Sequence, residues 1–201
     1  MSRVTAVRGV NECIAARVRD LRTGQRLSLD SLANRSGVSR SMISLIERAE
    51  TSATAAVLEK IAAALNVSLA SLFDPPVGSA SESDRQVSRR QEQTVWQDPA
   101  SGYSRRNVSP AAALLFSQIV EVQFPSGARV SFDSATRDAP LNQQVWILEG
   151  ALEVTVGKDR HRLAAGDCLS MRIEGPTMFR NPTRKPTRYA VVISSEPAAR
   201  R

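Results

Sequence analysis

Ser28-Leu-Asp-Ser-Leu-Ala-Asn-Arg-Ser-Gly-Val-Ser-Arg-Ser-Met-Ile-Ser-Leu-Ile-Glu47 is the stretch that decides the first half of the fold. Leu29 to Ser36 has the spacing of a short helix. Ala33 is small, so a second helix can cross closely over it. Gly37 stands where a tight helix–helix turn needs a positive φ, and Val38 plugs that turn into the core. Ser39 is a good N-cap for the next helix. In that helix Ile43 and Ile46 fall on the inner face, while Arg40, Ser41 and Ser44 fall on the outer one. This is the spacing of a recognition helix that enters the major groove by its N-terminal end. An ordinary pair of packed helices does not require small residue, glycine, cap and apolar plugs all in this register.

Helical spacing continues on both sides, through Ile14, Val18 and Leu21 and again through Leu58, Ile61, Ala62 and Leu65. Thr23-Gly24, Ser36-Gly37 and Glu50-Thr51-Ser52 punctuate it. The run Val38-Ser-Arg-Ser-Met-Ile-Ser-Leu-Ile-Glu-Arg48 and the closing Leu65-Asn-Val-Ser-Leu-Ala-Ser-Leu-Phe73 resemble the Xre family, the Cro and repressor class of helix-turn-helix domains. The resemblance covers roughly residues 11–73 and implies five helices. It implies Arg40, Ser41 and Ser44 as readers of base edges, with Arg40 able to grip guanine O6 and N7 in a bidentate fork. It implies Ser28, Ser39, Arg48, Thr51 and Ser52 as groups that position phosphates. For each exposed serine, a solvated helix surface is an equally good reading. Glu47 is expected to hold the fold together rather than to touch DNA. Ala49 departs from the family pattern, where glycine is common, so the loop there is expected to differ slightly.

Asp74-Pro75-Pro76 halts the last helix, since proline cannot continue one. Residues 74–94 are rich in Ser, Arg, Glu and Gln, too poor in apolar residues to pack, and read as a linker. Beyond it the pattern turns to short β-branched runs: 115–124, 130–132, 144–148, 152–156, 168–173, 177–179 and 188–193. Gly127, Gly150, Gly157, Gly166 and Gly175 fall between them. Such strand–turn spacing predicts an antiparallel barrel or sandwich. Trp96-Gln-Asp-Pro-Ala-Ser-Gly-Tyr103 reads as a turn entering it, with Trp96 as a packing anchor.

Leu148-Glu-Gly-Ala-Leu-Glu-Val154 and Leu163-Ala-Ala-Gly-Asp167 resemble the motifs of the cupin fold, a double-stranded β-helix or jelly-roll barrel, over roughly residues 95–195. The fold class expected is therefore α + β in separate domains: 11–73 helical, 74–94 linker, 95–195 barrel. Cupin enzymes usually hold a metal with two His and a Glu from a first motif and a His from a second. Counted from Gly150, the Glu position is Gln143. The His positions fall at Arg137 and Ala139, or at Thr136 and Asp138, and the second-motif His falls at Thr177. Amide and hydroxyl groups do not replace imidazole and carboxylate for a transition metal, so no metal and no cofactor is expected. No Ser–His–Asp set or close carboxylate pair offers a substitute. The one histidine, His161, reads as a surface or turn residue.

The barrel is then expected to be a binding cup. Strand alternation turns Gln143, Val145 and Ile147 inward, facing Thr177 and Phe179, with Leu169 and Met171 on the same interior. A mainly apolar cavity with a few polar groups suits a small-molecule effector pocket; the same residues also suit a plain barrel core. Cys168 reads as a small buried hydrophobe, with a redox role the poorer alternative. Arg105-Arg106 reads as a solvated surface pair, with an anionic ligand or a partner subunit as alternatives.

Composition agrees with this division. The 201 residues carry a net charge of +7, mostly from arginine, and over half of it lies in residues 1–73. Guanidinium suits phosphate recognition. Apolar residues make up 42% and aromatics 4%, so mainly aliphatic cores are expected. Cys13 and Cys168 form no disulfide framework. No run approaches the roughly 18 apolar residues of a membrane span, and Met1 to Arg8 lacks the apolar region of a signal peptide. A soluble, cytoplasmic protein is expected, with no membrane partner. The function expected is a one-component transcriptional regulator acting as a homodimer on palindromic double-stranded operator DNA, its metal-free barrel sensing a small molecule, mediating dimerisation, or both. The linker is expected to let the halves reorient. The alternative is a cupin enzyme with a DNA-binding appendage.

Overall fold

The computed structural model describes residues 2–74, 86–110, 117–133 and 141–194, with the backbone alone for residues 2–8. Four α-helices come first: α1 (Ser2–Gly24), α2 (Leu29–Ser36), α3 (Arg40–Glu47) and α4 (Ala55–Ala64). The fifth helix expected from the sequence is a 3-10 turn, Leu69–Phe73. Three of the short elements start on a hydroxyl that caps them. Ser28, Ser39 and Thr54 accept the N–H of Ser31, Met42 and Val57. A cap of this kind stabilises a helix by about 1 kcal/mol. Gly37 ends α2 at φ +66°, its N–H donating to the Ala33 carbonyl. Val18, Leu32, Ile43, Leu58 and Ile61 are fully buried between the helices. Among the described residues no helix is long and apolar enough to cross a membrane.

Ten strands follow: β1 (Val95–Gln97), β2 (Ser104–Asn107), β3 (Ser117–Phe124), β4 (Arg129–Phe132), β5 (Leu141–Glu149), β6 (Ala151–Val156), β7 (Asp159–Ala164), β8 (Cys168–Ile173), β9 (Thr177–Arg180) and β10 (Thr187–Ser194). All pairings are antiparallel. One sheet runs β1-β2-β3-β10-β5-β8 and the other β4-β9-β6-β7. Together they form a two-sheet antiparallel barrel. Alternation along β10, with Tyr189, Val191 and Ile193 buried, shows how each strand turns one face to the barrel interior. Gly150, at φ +83° between β5 and β6, is required there: a Cβ would lie 2.9 Å from Thr187 Oγ1 and 3.1 Å from the Pro186 carbonyl.

β1, β2 and β7 were not expected as strands. β2 and β7 are polar, and their partners' ladders impose the extended form on them. Cys168 is exposed at the start of β8, not buried, because the inward positions of that strand are Met171 and Ile173.

The halves are packed together. Asp98 accepts the N–H of Ala55, the first residue of α4, at 2.8 Å. Ser68 donates to Gln118 Oε1 at 2.7 Å, and Asn107 Nδ2 donates to the Ala70 carbonyl at 3.0 Å. The Phe73 and Trp96 rings meet with centroids 5.5 Å apart. Gln118 Nε2 donates to Asp74 at 3.2 Å; burial there pushes the Asp74 carboxyl above its usual range, partly offset by Arg17. Most of the expected linker, residues 75–85, lies outside the described residues. What the described residues form is one hydrophobic core through both halves, and not the freely reorienting pair that a linker suggests. The reason is that Trp96, expected as a packing anchor, and Asp98, expected only as part of an entry turn, are buried groups that seat the helices on the barrel.

Candidate nucleic-acid interface and barrel cavity

α3 presents its N-terminal end to solvent. Arg40, its first residue, has a side chain 65% exposed and lies 3.3 Å from the equally open Asp30 on α2. Such an exposed pair contributes little, so DNA can displace it. Ser41 is exposed, its hydroxyl 3.1 Å from that of Ser39. Ser44 is half-buried and accepts a hydrogen bond from Arg48. The base-reading candidates therefore lie on one face of one helix.

The five phosphate-positioning candidates are less alike. The hydroxyl oxygens of Ser28 and Ser39 serve as helix caps, and their O–H groups remain able to donate. Arg48 donates twice to Glu50, at 2.8 and 2.9 Å, and this pair holds the Arg48 guanidinium above and the Glu50 carboxyl below their usual values. Ser52 accepts from Asn11 Nδ2 at 2.8 Å, tying the loop to α1. Thr51 is half-buried beside it. The sequence reading missed Asp30, Glu50 and Asn11 as partners of these groups. Only Glu50 left a local signal, two places from Arg48.

Behind this face lies a buried brace. Glu47 is 7% exposed and takes the Arg22 guanidinium at 2.6 and 2.8 Å. Arg19 donates to its main-chain carbonyl at 2.6 Å. The pair raises the Arg22 pKa above its ordinary value and fastens α1 to α3, as expected of Glu47. Ala49 keeps the turn after α3 at φ +56°, a left-handed conformation that glycine adopts without strain.

Residues 18–72 match a family model described as "Helix-turn-helix", HTH_3. This segment is a helix-turn-helix domain. The chain is 27% identical over 168 residues to the HTH-type transcriptional regulator SutR of Escherichia coli (strain K12), covering 84% of this chain and 86% of that protein. Its fold is similar to that of the crystal structure of an HTH_3 family transcriptional regulator from Vibrio cholerae. The TM-score is 0.74 at 22% identity, over 94% of this chain and 99% of that one. That likeness extends through both halves, so the joining of helices to barrel is a shared architecture.

Against the helix-turn-helix domain the barrel encloses a cavity of about 70 Å³. Gln143, Thr177 and Phe179 line it, whereas Val145, Ile147 and Met171 are buried outside its lining and Leu169 is half-buried. Two lining residues, Glu59 and Leu69, come from the helical half. Residues 136–139, which hold the two counted His positions of the first motif, lie outside the described residues. Among those described, no group of three or more His, Cys, Asp or Glu could hold a metal. His161 is half-buried on β7, at the edge of the smaller sheet.

Arg105 and Arg106 are not the solvated surface pair that the sequence suggests. Arg106 points away from the cavity and pairs with Glu121. Arg105 is 6% exposed and lines the cavity with Tyr103. Strand alternation in β2 sends the two arginines to opposite faces, and β2 was not read as a strand. Burial pushes the Tyr103 hydroxyl up to about 12 and that of Tyr189 well above its ordinary value, so both stay protonated donors.

Proposed function

We propose that this chain is a DNA-binding transcriptional regulator whose α3 reads operator DNA from the major groove. The observation that carries this reading is the open N-terminal end of α3, with Arg40 and Ser41 exposed on a helix braced from behind. The names of its relatives, an HTH-type regulator and an HTH_3 family regulator, support it. Arg40, Ser41 and Ser44 contact bases; Ser28, Ser39, Arg48, Thr51 and Ser52 lie along the phosphates. A single helix reaches few base pairs, so the protein acts as a homodimer on a palindrome with half-sites roughly 34 Å apart. The reading unit is residues 11–73 and the barrel unit 95–195. The barrel senses a small molecule through a pocket that includes Gln143, Thr177 and Phe179, and it is not an enzyme. Occupancy acts by favouring one arrangement of the dimer.

Sequencing of DNA selected by the full-length protein tests the reading. Enrichment of a palindrome is expected; a random pool, or monomer bound to single half-sites, would overturn it. One observation favours the barrel as the dimer contact. Trp146 and Ile119 are 50% and 42% exposed on the outer face of the six-stranded sheet. Trp146→Lys is then expected to shift the molar mass in solution to that of a monomer.

A further inference from the structure

The cavity contains a buried guanidinium that hydrogen-bonds Tyr103 and keeps one donor without an acceptor. Arg105 is 6% exposed, and its Nε–H has no hydrogen-bond partner among the described residues. Nearly every buried polar group in a folded protein has one, so an exception calls for a reason. Phe73 lies under the guanidinium, 5.0 Å from ring centroid to Cζ, and offers a cation–π contact but no acceptor atom. The apolar part of the cavity wall is mostly valine, isoleucine and phenylalanine. In such a setting a planar guanidinium is best matched by a carboxylate, which accepts from it in a charge-assisted hydrogen bond.

The rest of the cavity narrows the class. Tyr103, Tyr189, Gln143 and Thr177 add neutral polar groups to the same lining. A volume of about 70 Å³ holds about five water-sized atoms, which suits a carboxylic acid of about two to four carbons. Glu59 lines the same space, so a second negative charge on the occupant would meet a like charge. An alkyl tail, by contrast, meets the apolar wall.

We propose that the cavity is a receptor for a compact monocarboxylate, its carboxylate on Arg105 Nε and its short alkyl end against the barrel wall. This rests on the sensing reading above and names the chemical class that reading leaves open. Because Glu59 and Leu69 belong to the helical half, an occupant touches that half directly.

The test uses the full-length protein at constant ionic strength, with sodium chloride as the balancing salt. Melting temperature is followed against sodium acetate, propionate and butyrate, and against alcohols and alkylamines of the same length. A ligand specific for the native state must raise it. A saturable rise is expected with the carboxylates alone, and Arg105→Met is expected to weaken it at least about tenfold. Since that variant could fail to fold, the side-chain Nε–H resonance of Arg105 is followed in the unmutated protein. It is expected to shift with propionate along the same titration curve. A resonance that stays put while the melting temperature rises overturns the proposal, as does undiminished binding by a folded Arg105→Met. If alcohols or amines stabilise and carboxylates do not, sensing by the cavity stands and the monocarboxylate assignment falls. If none of the three classes does, the monocarboxylate assignment falls.

Discussion

The exposed face of α3 and the interior of the barrel each carry an arginine, in opposite settings. Arg40 is 65% exposed and its partner Asp30 is as open to water as it is. Arg105 is 6% exposed and lacks an acceptor for its Nε–H. An exposed charge with an exchangeable partner can meet any polyanion, so in the proposed DNA complex selectivity would come from the geometry of the fork against base edges. A buried charge meets only what fits past its walls, so selectivity comes from exclusion. The two sites also differ in how they are assembled. The first is built within about one helical hairpin; the second draws side chains from positions as far apart as Glu59 and Ile193.

Substitutions can break this contrast at several points. The largest effect is expected behind the exposed face. Arg22→Ala leaves Glu47 buried without its bidentate partner, and denaturant unfolding should show a loss of about 3–5 kcal/mol. A loss as small as that of a surface pair would mean the brace is not a brace. Next comes the seam between the regions. Asp98→Ala removes the acceptor of the Ala55 N–H and of the Ser101 N–H at 2.8 Å each. It should cost about 1–3 kcal/mol, with helical and strand signals lost together; separate transitions would show that the seam does not couple the halves.

Arg40→Ala should weaken specific DNA binding by about 1–3 kcal/mol while leaving stability within about 0.5 kcal/mol. Equal losses on operator and on random DNA would make Arg40 a phosphate contact instead. Ala49→Gly should raise stability by about 1 kcal/mol, since glycine tolerates the left-handed φ that alanine holds here. A lower melting temperature would contradict that. The smallest effect is on the outside of the barrel. Arg160, with Arg180 and Arg162, holds the Glu153 carboxyl below its usual range. A depressed folded-state pKa contributes stability above the unfolded value, and that contribution is lost as pH falls through the folded one. Glu153→Gln should therefore flatten the acid limb of the stability–pH curve; an unchanged limb would show the arginines to be solvated separately.

The helix-turn-helix was legible because its signals are local. Ser28, Gly37 and Ser39 act on backbone groups within a few residues of themselves, and the structure places α2 at Leu29–Ser36 as the spacing predicts. The alternation in β5 was legible for the same reason. β2 and β7 were not, because Ser104-Arg-Arg-Asn107 and Asp159-Arg-His-Arg-Leu-Ala164 carry no strand propensity of their own. They are extended because β3 and β6 pair with them. That single omission misplaced Arg105, since two adjacent arginines face the same water in a loop and opposite sides in a strand.

Aromatic residues show the same limit. At 4% of the chain they promised an aliphatic core. Yet Phe73, Trp96, Tyr103, Phe124, Tyr189 and Phe179 form one chain of ring contacts from the helical half into the barrel. The sequence alone determined the helix-turn-helix, its caps, its turn and the departure of Gln143 and Thr177 from a metal-ligand pattern, because each is a matter of near neighbours and residue type. The tertiary structure decided that helices and barrel share one core, that Asp98 caps α4, and that Arg105 is enclosed in a cavity that Glu59 also lines. These depend on which distant surfaces pack together, and burial, which sets the chemistry of a charge, is a property of that packing and not of spacing along the chain.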